Sequence, residues 1–151
     1  MSMSSIRGKK FYRALAAVAA GTSDQKSQGI DCAGFDVVAF ALLLGTITST
    51  ATLTVKLQGS DTDVDGDFVD LENTGLDIAD SESGLVAILE CVRPQYRYIR
   101  LYIDRGTANT VIDGVLAWTD TFARVQPVEQ DDTEVTHYAF ESFVSPEAGT
   151  A

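Results

Sequence analysis

Two cysteines, three prolines, one histidine and one tryptophan stand in a chain of 151 residues, and each scarcity removes a class of explanation. Cys32 and Cys91 are too few to staple a disulfide scaffold, and their separation is not that of a C-x-x-C metal or redox pair. Buried free thiols are expected, with a disulfide open only if their strands are neighbours. The single histidine, His137, lies in the acidic stretch DDTEVTHYAFE with no second imidazole to form a base or metal set, which points to a solvated or interfacial role. No nucleophile–base pair and no glycine-rich phosphate loop can be assembled. Carboxylate pairs such as Asp131 and Asp132 are uninformative among 22 acids. The expectation is a protein that is not an enzyme and uses no cofactor.

Long apolar runs are missing too. The longest, Val37–Leu44, falls well short of the ~18 residues of a membrane-spanning helix, so no membrane partner is expected. Arg7, Lys9 and Lys10 ahead of Ala14–Ala20 imitate a secretory leader, but Arg13 interrupts the segment and its apolar part is alanine rather than leucine. An uncleaved segment and intracellular synthesis are expected. Cations are half as numerous as anions, 11 against 22, for a net charge of −11. Five cations (Arg7, Lys9, Lys10, Arg13, Lys26) and one anion (Asp24) give residues 1–28 a charge of +4, leaving −15 on residues 29–151. A body this acidic repels phosphate, which argues against nucleic acid as a partner.

What is present is β-structure. At 45% apolar content the chain can bury one ordinary core. Ala51–Gln58 alternates with a period of two, Leu53, Val55 and Leu57 on one face and Thr52, Thr54, Lys56 and Gln58 on the other. Tyr96–Asp104 does the same, with Ile99, Leu101 and Ile103 opposite Tyr96, Tyr98, Arg100 and Tyr102. This second face suits an interface and ordinary packing equally. Asp36–Leu44 and Leu85–Val92 are apolar on both faces, as in strands covered on both sides. Val111–Trp118, Phe122–Val128 and Thr136–Val144 read as further strands, with Trp118 expected in the core. Phe11–Ala20 is rich in alanine and is left open between helix and other structure. About eight short strands imply an all-β, two-sheet sandwich, most plausibly a jelly roll. The expected organisation is a basic N-terminal arm (1–28), a sandwich (29–128) and an acidic C-terminal segment (129–151).

The stretch Ser60–Glu72, SDTDVDGDFVDLE, matches the EF-hand calcium loop, with Asp61, Asp63, Asp65, Asp67 and Glu72 at ligand positions and Gly66 at the turn, although Val69 takes the ninth position. Its flanks are strand-like, so the helix–loop–helix context fails. A solvated turn is the main reading, with a weak calcium site in a β-loop as the minor one.

Three segments, GIDCAGFDVVAFALLLGTIT, ATLTVKLQGSDTDVDGDFVDLE and RPQYRYIRLYIDRGTANTVIDGVLAW, together resemble head decoration (cement) proteins of tailed bacteriophages across residues 29–118. The resemblance implies a β-sandwich or jelly roll made in the host cytoplasm and carried on the outer capsid surface of the virion. It also implies the major capsid protein as partner and a homotrimer or dimer as the assembled form. The oppositely charged termini, +4 and −6, are then expected to grip the capsid or link protomers, with Arg7, Lys9, Lys10 and Arg13 as the capsid-binding residues. The same strand–acidic turn–strand pattern also looks like discoidin-type carbohydrate- or lipid-binding sandwiches, although the loops lack the aromatic pair that stacks on sugars.

Overall fold

A computed structural model describes residues 8–106, 109–121, 130–131 and 133–135. Eleven strands form among them: β1 (Lys9–Leu15), β2 (Val18–Gly21), β3 (Gln25–Lys26), β4 (Ile30–Asp31), β5 (Val37–Ile47), β6 (Thr52–Ser60), β7 (Val69–Asp70), β8 (Leu76–Ala79), β9 (Val86–Val92), β10 (Tyr98–Asp104) and β11 (Thr110–Asp120). Two single 3-10 turns, Asp65–Asp67 and Asp80–Glu82, complete the described secondary structure. No helix among the described residues is long and apolar enough to cross a membrane.

Sheet A runs in the order β1-β11-β5-β9, with β2 continuing β1 along β11; sheet B runs β3-β10-β6-β7, with β4 and β8 extending its outer positions. All pairings are antiparallel. Counting β1/β2, β3/β4 and β7/β8 as interrupted single strands leaves eight, arranged in two facing four-stranded sheets. The chain changes sheet at every connection except the one after β6. That order is the jelly roll, which places two strongly apolar strands, β5 and β11, in the middle of sheet A.

Burial follows the two-residue period. Val38, Phe40, Leu42 and Leu44 from β5, Leu53, Val55 and Leu57 from β6, and Ile99, Leu101 and Ile103 from β10 fill the space between the sheets. Two bulges then reset the period. In β5 the inward set passes from Leu44 to Ile47, and in β11 from Ile112 to Val115. Gly114 makes the second reset possible: its φ of +144° suits glycine, and its backbone lies against the Leu15 carbonyl.

Three sequence expectations change here. Residues 9–26 of the expected arm are built into the sheets as β1, β2 and β3, and Phe11–Ala20 is strand, because β11 offers an edge whose pairing outweighs alanine's helical preference. Trp118 faces away from the core, on the outer side of sheet A beside Phe11 and Ala39, because the β11 bulge shifts the phase of the strand. β9 is not covered on both sides among the described residues, with Val86, Ile88 and Val92 in the open, whereas Val37–Leu42 of β5 are buried on both faces and only Leu43 of that run is exposed. The expected strands at Phe122–Val128 and Thr136–Val144, and His137, lie outside the described residues.

Phe40 is fully buried, so Phe40→Ala should cost about 3–5 kcal/mol in urea denaturation. Gly114→Ala should cost roughly 1–3 kcal/mol through backbone strain alone. Removing residues 1–20 strips β1 and most of β2 from sheet A, and should unfold the domain rather than release an arm.

Candidate interaction surface

The two outer faces of the sandwich differ in chemistry. On sheet A, paired residues form rows across the strands: Arg13–Leu116–Ala41–Ile88, Phe11–Trp118–Ala39–Glu90, and Lys9–Asp120–Val37–Val92, with Leu43 beside Val86. The middle of this face is apolar and much of its aliphatic surface is open to solvent: Leu43 is 41% exposed, Leu116 42%, Val86 51%, Val92 56% and Ile88 62%. Ala39 and Ala41 lie at the bottom, screened by larger neighbours. Two shallow grooves cross it, one lined by Phe11, Arg13, Leu43, Leu116 and Val135, the other by Val37, Ile88, Val92 and Trp118. Charge sits at the margins, with Lys9 and Arg13 on β1, Glu90 on β9, and Asp113 and Asp120 toward the two ends of β11. A contiguous apolar patch with a charged rim is the usual mark of an interaction site.

Sheet B shows the opposite design. Arg100, only 6% exposed, points outward yet is covered by the acidic loop. Its guanidinium donates to Gln58 Oε1 at 2.8 Å and to Asp65 Oδ1 at 2.5 Å, and stacks 4.0 Å from the Phe68 ring centroid. Asp65 also accepts from Lys26 at 2.9 Å. Beside this group, Asp70 takes Lys56 at 2.7 Å and Gln58 at 2.8 Å, and Lys56 lies over the Tyr102 ring. Tyr102 in turn donates to Asp24.

The calcium-loop reading is therefore replaced at several of its positions by protein donors. Asp65 holds Lys26 and Arg100, Asp67 accepts from Thr62, and Asp61 accepts a long 3.4 Å bond from the Arg97 amide. The flanks are β6 and β7, not helices. Among the described residues no three acid, histidine or cysteine side chains gather as a metal-ligand set. The aspartates work as a clip: they fold a 3-10 turn over Arg100 and let a cation sit desolvated on the sheet. Sequence reading missed this because the loop's counter-ions come from β3 and β10, far away in the chain.

Of the four expected capsid-binding cations, Arg7 lies outside the described residues. Lys9 is tied to Asp120 at 2.5 Å, and Lys10 lies 5.7 Å from the Tyr12 ring centroid. Arg13 is exposed beside the first apolar groove, and its guanidinium has no partner among the described residues. The free edge of β1 is occupied from within the chain. Gln130 donates to the Lys9 carbonyl at 2.6 Å and accepts from the Phe11 amide at 2.9 Å, while Glu134 accepts from the Arg13 amide at 2.9 Å. Gln28 binds the other Glu134 oxygen. The described parts of the basic and acidic ends thus meet each other. Cys32 is buried, Cys91 half-buried, and both are free thiols.

No protein-family model and no curated protein matches this chain. Among solved structures it is similar to a chain from the disulfide-linked pili formed by Bacillus endospore appendages, at 13% identity and a TM-score of 0.46, over 82% of this chain and 98% of that one. A likeness of that size carries nothing about function.

The electrostatics set limits on both sides of neutrality. Hydrogen bonding to Lys26 first, then to Arg100, holds the Asp65 carboxyl below the usual carboxylate range; Lys56 and Gln58 do the same for Asp70, and Arg97 for Asp31. Burial first, then the nearby Asp31 charge, pushes the Tyr12 phenol up to about 12, and the bond to Asp24 does so for Tyr102. Depressed carboxylates add stability that is present above their unfolded pKa, near 3.8, and vanishes as pH falls through the lower folded values. A raised phenol adds stability that is complete below its unfolded pKa of 10.0 and disappears as pH rises toward about 12. Melting temperature should therefore fall at both extremes, Asp65→Asn reducing the acid-side loss and Tyr12→Phe the alkaline one. Arg100→Ala should cost about 2 kcal/mol at neutral pH through lost hydrogen bonds and ring stacking.

Proposed function

We propose that this chain is a structural assembly protein of the capsid-decoration kind, which binds by adhesion and turns over no substrate. In this reading the outer face of sheet A seats on the outside of a major capsid protein lattice and stabilises the head. One observation carries it: of two outer faces on one sandwich, one is closed by its own salt bridges and the other presents a rimmed apolar surface. Leaving Leu43, Val86, Ile88 and Val92 in water forgoes burial worth roughly 25 cal/mol per Å² of apolar surface, a loss that a lasting partner recovers.

Phe11, Trp118 and Arg13 on that face belong to the residue types that anchor protein interfaces, and the rigid sheet holds them without ordering cost. The jelly roll itself serves viral capsid and lectin domains alike, so the face and not the fold supports the choice. The working surface in this account is the sheet A face with Arg13 at its rim, in place of a mobile basic arm.

Cosedimentation of the purified protein with undecorated capsids tests the proposal. Leu116→Glu and Arg13→Glu should each weaken binding about tenfold or more, by the size of a typical interface anchor, while Thr52→Glu on sheet B should leave it intact. Equal binding by all three variants, or a glycan array with strong hits and no capsid association, would rule the proposal out.

A further inference from the structure

A sandwich of two sheets has four edges, and three of them here are managed. The β1 edge is bonded by the side chains of Gln130 and Glu134. Both edges of sheet B consist of broken strands of two to four residues, β3 with β4 and β7 with β8, too short to template a partner. The fourth is β9, a continuous strand of seven residues that pairs only with β5 on its inner side. Its far side carries no backbone hydrogen bond among the described residues. Neither proline nor lysine blunts it, no bulge interrupts its ladder with β5, and Glu90 is its only charge. An edge without these protections offers an unpaired row of amides and carbonyls to another strand.

We propose that β9 is a self-association edge: two copies of this chain pair β9 antiparallel with β9, joining their A sheets into one eight-stranded sheet around a two-fold axis. The sequence VAILECV suits its own antiparallel copy. Pairing centred on Leu89 uses the whole strand. It sets Val86 against Val92 of the second copy, Ala87 against Cys91 and Ile88 against Glu90, so like charges never lie directly opposite. Ala87, Leu89 and Cys91, which line the edge of the core, meet their counterparts and close both cores at the seam. About six inter-strand hydrogen bonds form.

Closure selects a dimer over a filament. Pairing β9 to itself consumes the open edge of both copies and leaves none, whereas a head-to-tail assembly needs the β1 edge, where Gln130 and Glu134 already hold the backbone. The dimer also places two apolar outer faces side by side in one surface, doubling the contact area offered to a lattice. Of the two assembled forms that the decoration-protein resemblance implies, the two-fold pairing is the dimer and not the trimer.

The full-length protein at tens of micromolar should sediment with twice the mass of one chain. Ile88→Glu sets a carboxylate directly opposite Glu90 of the second copy, twice across the two-fold axis; it should stay folded yet sediment as a monomer, with Ile88→Val remaining dimeric. Ala87→Cys, mildly oxidised with glutathione disulfide, should give a covalent dimer through Cys91 of the second copy, lost on reduction and absent when Cys91→Ser is added. A wild-type monomer at these concentrations, a trimer, or an Ile88→Glu variant that still dimerises would overturn the proposal. Leu116→Glu lies two strands from the seam and should leave the dimer intact, so failure of self-association and failure of capsid adhesion are read separately.

Discussion

A two-layer sandwich has one interior, and every apolar face beyond it must find another cover or remain in water. This constraint organises the molecule. Sheet B meets it by presenting a polar outer face, on which Tyr98, Arg100 and Tyr102 alternate with the fully buried Ile99, Leu101 and Ile103. Sheet A does not meet it: β5 and β9 spend apolar residues on both faces, and β11 adds Leu116 and Trp118 to the outer one. The exposed apolar face is what remains after the core has been filled.

The acidic loop explains why the asymmetry persists. Asp65, Phe68 and Asp70 lock the outer side of sheet B through Arg100, Lys26, Lys56 and Gln58, joining strands distant in sequence. Each exposed ion pair alone contributes little; their arrangement around a desolvated guanidinium fixes the loop. A stiff, closed face on one side makes the other side a rigid platform. Adhesion by such a platform avoids the ordering cost that a flexible arm carries when it binds. The opposite charges of the two ends are partly used in the same spirit, with Glu134 and Gln130 holding β1 in place.

Much of this fold was legible in the chain. The period of two in ATLTVKLQ and YRYIRLYID identified β6, β10 and their inward residues, and turn residues separated the strands at sandwich spacing. β1 and β2 were hidden because KKFYRALAAVAA satisfies helix propensity and strand alternation about equally, and the pairing with β11 that decides between them joins residues about a hundred positions apart. The outward placement of Trp118 was hidden by the Gly114 bulge, which reverses the phase of VIDGVLAW midway. The apolar run VAILECV reads as a strand, but its composition is the same whether two faces are covered or one, and in the fold only the face of Ala87, Leu89 and Cys91 meets the core.

The central claim is that the outer face of sheet A is covered when the protein is at work. Hydrogen–deuterium exchange of the chain, free and then bound to its assembly, measures this most directly. The account requires new protection in residues 37–43, 86–92 and 116–118, with exchange in the loop at 61–70 unchanged. Protection confined to that loop and the outer side of sheet B, with the apolar strands exchanging as in the free protein, would contradict it.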